Sequence, residues 1–174
     1  RAVGVDIFRS EPWIADELAS FASENVKLIT SLPAQSLDKI EGIVQRGVRS
    51  GTSASTLSKQ ITNELGIARR RADLIARDQV ATLNGQITKV RQEAIGIKTY
   101  YWDTAGDERV RKSHAKLDGK LCRWDNDRVY SDDDGRTWKQ RISIGAEVAS
   151  PGQPINCRCG ARANTDELLA SLGV

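Results

Sequence analysis

The chain has no methionine among its 174 residues, only one histidine, three cysteines, four prolines and two phenylalanines. Each scarcity excludes something. A chain without methionine does not open on its own initiator, so the expectation is a processed product or a piece of a longer protein. No apolar run approaches the roughly 20 residues of a membrane-spanning helix. No charged-then-apolar leader opens the sequence, and no membrane partner is expected. Three cysteines form no framework of evenly spaced pairs, which points to a reducing compartment with thiols that are free or bind metal. A bridge within Cys157-x-Cys159 would sit at the edge of disulfide geometry; one from Cys122 to either of that pair stays open. The net charge of +3, from 26 basic and 23 acidic residues, is too small an excess to imply nucleic acid by itself. There is no phosphate-cradling glycine loop and no Ser-His-Asp signature. The stretches Asp125-Asn126-Asp127 and Asp132-Asp133-Asp134-Gly135 lack the glycine position and terminal glutamate of a calcium loop. They read as hairpin turns.

What is present suits a globular chain of one domain or two small ones. The hydrophobic share is 39% and the charged share 28%, ordinary for a soluble fold with a real core. The first part reads as helices. Ser10-Glu11-Pro12 looks like a helix start ahead of Trp13, Ile14, Leu18 and Phe21. A short apolar patch (Val26, Leu28, Ile29, Leu32) ends at Pro33. Ser36 is a candidate cap for a helix facing inward through Leu37, Ile40, Ile43, Val44 and Val48, closed by Gly51. Thr52 or Ser53 caps the next, with Leu57, Ile61 and Leu65, ended by Gly66. The longest periodic run spans Ile67 to Ile95. Its predicted seam is Ala72, Ala76, Val80, Leu83, Ile87, Val90 and Ala94. Gly85 inside it costs about 1 kcal/mol relative to alanine, which predicts a kink or a close contact. The opposite face carries Arg69, Arg70, Arg71, Asp73, Arg77, Asp78 and Arg91, read either as a solvated face with pairs such as Asp73 to Arg77 or as a basic docking surface.

After Gly96 the pattern changes. Ile97 to Trp102 predicts a strand and Ala105 to Leu117 a charged helix. Leu121 to Trp124, Arg128 to Tyr130 and Ile155 to Arg162 predict short strands, and Thr165 caps a last helix, Asp166 to Leu172. The predicted fold class is therefore α+β: a helical scaffold over residues 1–96 containing one long helix, then a small module of short strands and helices over residues 97–174.

That second part concentrates the chemistry. The lone His114 and all three cysteines lie between His114 and Cys159. Cys157, Cys159, His114 and Cys122 together have the ligand types of a Cys3His zinc site, although C-x-C is a weaker signal than paired C-x-x-C. The alternative is that the cysteines are small buried hydrophobes and His114 a hydrogen-bonded structural residue. Asp107, Arg111 and His114, spaced i, i+4 and i+7, would share one face of a helix. A cysteine nucleophile with His114 as base is a further reading. Arg109, Arg111, Lys112, Lys116, Lys120 and Arg123 make a basic cluster. Of these, Arg109, Lys112, Lys116, Lys120 and Arg123 are candidate nucleic-acid contacts, with Trp102 and Trp124 as stacking surfaces.

The run from Tyr101 through Trp102-Asp103-Thr104-Ala105-Gly106-Asp107-Glu108-Arg109-Val110-Arg111-Lys112-Ser113-His114, then Leu117-Asp118-Gly119, then Pro151-Gly152 and Cys157-Arg158-Cys159, resembles the phage Mu F-like head-morphogenesis family of minor head proteins. Arg71 to Gln79 resembles the helix that precedes this motif, with Asp78-Gln79 where members often have Thr-Glu. The resemblance marks Trp102, Asp107, Arg109, Arg111, His114, Gly119, Pro151, Gly152, Cys157, Arg158 and Cys159 as signature positions. It implies a structural protein of the phage head, built into the procapsid beside the portal and associated with capsid or scaffolding protein and with packaged or ejected DNA. Its place would be the virion, after assembly in the host cytoplasm. An enzyme, a nuclease or transferase using His114 with Asp107 or Arg111, is the alternative from another class; a DNA-binding module is a third.

Overall fold

The computed structural model describes residue 11, residues 13–27, residue 29, residues 32–166 and residue 169. The readings that rest on Ser10, Pro12 and Leu28, and most of the final helix, lie outside the described residues. The architecture is α+β: helices first, then a five-stranded antiparallel sheet. The chain divides into two compact units, Arg1–Leu83 and Asn84–Val174. Where the sequence suggests a boundary after residue 96, this division falls inside the long helix.

The first unit holds α1 (Ile14–Lys27), α2 (Ala34–Arg49), α3 (Ala54–Leu65) and the first turns of α4 (Arg69–Ala94). Its core is the set of apolar positions that recur every three or four residues: Ile14, Leu18 and Ala22, then Ile40, Ile43, Val44 and Val48, then Leu57 and Ile61, then Ala72, Ile75 and Ala76. Such spacing buries one stripe of each helix. Gly47 lets α2 approach α3 closely, because a side chain there would run into Leu57. Ser53 caps α3 by accepting the Thr56 N–H at 3.3 Å, and Gly66 ends it with φ of 61°. Two local predictions need correction. Ser36 does not cap α2; the helix starts at Ala34 behind Pro33, whose carbonyl takes the Ser36 N–H. Asp73 pairs with Arg69 at 3.2 Å and accepts from Ser58 Oγ at 2.5 Å, rather than pairing with Arg77.

The second unit takes the last turns of α4 and the sheet. The strands are β1 (Thr99–Asp103), β2 (Leu121–Arg123), β3 (Val129–Ser131), β4 (Lys139–Gln140) and β5 (Gly160–Ala163), in the order β4-β3-β2-β1-β5. β1 is an interior strand: Tyr100 sits opposite Cys122 on one side and Ala163 on the other. Alternation along a strand sends Tyr100 and Trp102 inward, where they are fully buried with Leu117, Cys122, Trp124, Tyr130 and Ala146. The Tyr100 and Trp124 rings lie 4.0 Å apart. Gln92 of α4 accepts the Trp124 Nε1–H at 2.9 Å and donates to the Ala161 carbonyl at 3.0 Å. These bonds seat the end of α4 in this unit.

The buried stripe of α4 departs from the predicted seam. Ala72, Ala76, Leu83 and Ile87 are buried as expected, but so are Gln79, Thr82 and Gln92, while Val80 and Val90 are half-buried and Ala94 is exposed. Gln92 holds its interior position because Trp124 and Ala161 satisfy it, which hydrophobic spacing alone does not reveal.

The predicted helix from Ala105 to Leu117 shrinks to α5 (Lys112–Ala115). Gly106 takes φ of 66°, Asp107 Oδ1 accepts the Arg109 N–H at 3.1 Å, and Arg111 is extended. A side-chain turn thus takes over the backbone donor that a helix would need. The strand predicted from Ile155 is also shorter: Cys157 and Cys159 sit in a loop ahead of β5, and Asn156 there has φ of 55°.

Candidate functional site

Two short segments, distant in sequence, build the site. α5 is a single turn that presents His114 inward. The loop from Pro151 to Cys159 comes back to meet it, with buried Pro151 and Gly152 at its base. The Pro154 carbonyl accepts the Cys157 N–H at 2.9 Å, making the turn that aims the sulfurs. Arg111 pins the loop by donating to the Ile155 carbonyl.

His114 is 2% exposed. Its Nδ1 lies 3.3 Å from Cys159 Sγ and 3.7 Å from Cys157 Sγ. The three candidate ligand atoms all fall within 4.8 Å of one another. The other ring nitrogen, Nε2, lies 3.3 Å from Glu147 Oε2 and 3.5 Å from Arg111 Nη1. Glu147 is itself held, accepting from Ser113 Oγ at 3.2 Å while its N–H donates to the Ser113 carbonyl. The Trp102 ring stands edge-on to the imidazole with centroids 5.8 Å apart.

The two thiols are electrostatically unequal. The Cys159 thiol donates toward Cys157, and the Gly152 and Cys159 N–H groups point at the same sulfur, so Cys157 titrates well below an ordinary thiol. Cys159 is pushed the other way, first by that shared hydrogen bond and then by burial.

Cys122 does not join them. It lies on β2 in the aromatic core, its thiol toward the Lys120 carbonyl, and burial raises its pKa to about 11. The Cys3His expectation is therefore corrected to a Cys2His group. All three thiols are free, so no bridge from Cys122 forms either. Asp107 also lies apart from the imidazole. It grips Arg158 through two bonds of 2.6 and 2.7 Å, which depresses its carboxyl pKa. The shared helical face with Arg111 and His114 does not exist, because Asp107 precedes α5. Gly119 adopts φ of 69° and donates to the Trp102 carbonyl at 2.8 Å.

Every signature residue of the site, from Trp102 to Cys159, falls within a stretch that matches a known family. The family model described as Phage Mu protein F like protein matches residues 38–162. The chain belongs to the phage Mu protein F like family. The family match runs from inside α2 into β5, so it contains both halves of the site. The chain is also 33% identical over 159 residues to a protein of Haemophilus influenzae (strain ATCC 51907 / DSM 11121 / KW20 / Rd) described as an uncharacterized protein. That alignment covers 90% of this chain but only 32% of the relative, so the chain spans about a third of its length. No solved structure matches.

In this Mu F-like protein the basic cluster is partly neutralised. Arg123 makes a two-pronged pair with Asp125 at 2.6 and 2.7 Å. Lys120 lies 3.8 Å from Asp132 and over the Tyr130 ring, and Lys116 reaches the Gly145 carbonyl at 3.5 Å. Arg109 and Lys112 are exposed. Trp102 and Trp124 are 0% and 4% exposed, so neither offers a face to a base.

Sequence reading misses three residues. Glu147 lies in a stretch with no motif. Gln92 looks like a solvent-facing helix residue. Arg141 is the third: fully buried, it donates to the carbonyls of Val129 at 3.0 Å, Ala149 at 2.8 Å and Glu147 at 3.4 Å, and to the Tyr100 hydroxyl at 3.3 Å. Its guanidinium sits 5.4 Å over the Trp102 ring. It thereby fixes both the strand and the loop between which Glu147 stands. No local spacing signals such a residue.

Proposed function

We propose that the protein is a minor head protein of a tailed phage, acting structurally in head morphogenesis. Membership of the Mu F-like family carries this reading. The second unit would be tied together by the His114, Cys157 and Cys159 cluster, and the helical unit would meet the portal and the capsid or scaffolding protein. Assembly would take place in the host cytoplasm, where thiols stay reduced, and the product would be part of the virion. Among the described residues no helix is long and apolar enough to cross a membrane.

The enzymatic alternative requires an accessible base, and the buried ring of His114 weakens it. The DNA-binding alternative loses its stacking surfaces and part of its charge to the pairs described above. The test is to delete the gene in its phage or prophage and to analyse purified heads by quantitative mass spectrometry and cross-linking. The expected outcome is that the protein copurifies with procapsids, cross-links to the portal, and that its loss yields heads defective in assembly or infectivity. Normal infectious heads made without it would overturn the reading.

A further inference from the structure

We propose that His114, Cys157 and Cys159 bind one zinc ion, or a divalent cation of similar softness, with Glu147 orienting the imidazole from its far side. The donor set is two thiolates and one imidazole, the chemistry that zinc prefers over magnesium or calcium. The spacing fits. With Zn–S of about 2.3 Å and Zn–N of about 2.05 Å at tetrahedral angles, the N···S edge of such a site is about 3.6 Å. The two observed Nδ1···Sγ distances, 3.3 and 3.7 Å, bracket that value.

Two further features point to a ligand. A metal-bound histidine commonly gives its second N–H to a carboxylate, which fixes the tautomer and leaves the other nitrogen's lone pair for the metal. Glu147 Oε2 stands 3.3 Å from Nε2 in that role. In addition, the buried Nε1–H of Trp102, in the core against which Cys159 packs, has no hydrogen-bond partner. A buried indole N–H left unpaired is costly, and a metal-held thiolate is a stronger acceptor for it than a neutral thiol. Among the described residues no other His, Cys, Asp or Glu joins the group, so the fourth corner falls to water. As the sulfurs ligate, any proton they still carry passes to solvent. The site would exist whether or not the protein acts in a phage head.

The test uses the purified full chain, stripped with a chelator and then titrated with zinc alone and with cobalt(II) alone. The expected result is one equivalent of metal by elemental analysis, with thiolate-to-cobalt charge-transfer absorption and tetrahedral d–d bands. Cys122→Ser retains both, whereas Cys157→Ser, Cys159→Ser and His114→Asn lose them. Glu147→Gln binds zinc about 10–100-fold more weakly. Should the ligand variants fail to fold, alkylation of the wild-type protein decides: zinc is expected to slow modification of Cys157 and Cys159. No zinc uptake by the folded wild-type chain, no protection of those two thiols, or full retention of zinc by a Cys157→Ser, Cys159→Ser double variant overturns the proposal. So does loss of zinc from folded Cys122→Ser.

Discussion

Gly85 of α4 lies directly against the carbonyl of Pro151, at the base of the loop that carries Cys157 and Cys159. A methyl group on Gly85 would collide with that oxygen and stand 3.4 Å from the Gly152 Cα. The close contact anticipated for this glycine is thus a contact with backbone, which cannot swing aside as a flexible side chain can.

Gly85→Ala is therefore expected to destabilise the second unit. Helix propensity favours alanine by about 1 kcal/mol, and overpacking opposes it by about 1–3 kcal/mol. Because the obstructing atoms belong to Pro151 and Gly152, the steric cost should prevail. A lower urea midpoint, with reduced amide protection near Pro151, would be the readout. An increased midpoint would show that the loop yields freely.

Replacing Arg141 should be among the most damaging single changes in this unit. Arg141→Met keeps the volume roughly but leaves the Val129, Ala149 and Glu147 carbonyls without their donor. Each buried acceptor left unpaired costs about 1–3 kcal/mol. Arg141→Lys keeps the charge but lacks the planar fork that reaches several carbonyls at once, so it should fall between wild type and Met. Chemical denaturation of the three proteins gives the order; equal midpoints would contradict the assigned role.

Alkaline pH should destabilise the second unit through two buried acids, Tyr100 and Cys122. Burial raises Tyr100 to about 12 from 10.0, and Cys122 to about 11 from 9.0. Both are acids that the folded state keeps protonated. Stability from them is fully present below the unfolded values and is lost as pH climbs through the folded ones, from about 9 to about 12. For Tyr100 alone the loss is on the order of 2–3 kcal/mol at the upper end. Stability measured against pH should fall in that window, and Cys122→Ser should delay the onset. A flat profile through it would rule out the burial assigned to both groups.

Gln92→Leu tests the polar residue on the buried stripe of α4. It removes the acceptor of the Trp124 Nε1–H and the donor to the Ala161 carbonyl. An apolar residue of similar size fits the pattern better yet strands two buried groups, so a loss of about 2 kcal/mol or more is expected. Tryptophan fluorescence during denaturation would follow it, and a stabilised variant would show that packing outweighs the two bonds.

Much was legible before the fold was known. Helices α2 and α3 follow apolar spacing and glycine stops, and β1 follows its run of β-branched and aromatic residues. The meeting of His114 with Cys157 and Cys159 was suggested by residue type alone, since soft ligands are rare and clustered here. The helix expected from Ala105 does not form because Asp107 takes the Arg109 N–H with its own side chain. Cys122 was drawn into the ligand set because residue type says nothing about which face of a strand a thiol occupies. Its pairing opposite Tyr100 turns it into the core.

The linear order of residues determined the helix periodicity, the α+β class and the family to which the chain belongs, because those depend on local pattern and on motif. Only the tertiary structure decided which sulfurs face the imidazole, that Glu147 stands behind it, and that Arg141 and Gln92 are interior. Those facts depend on bonds between segments far apart along the chain, and a polar side chain carries no local mark of whether its partner will be water or a buried carbonyl.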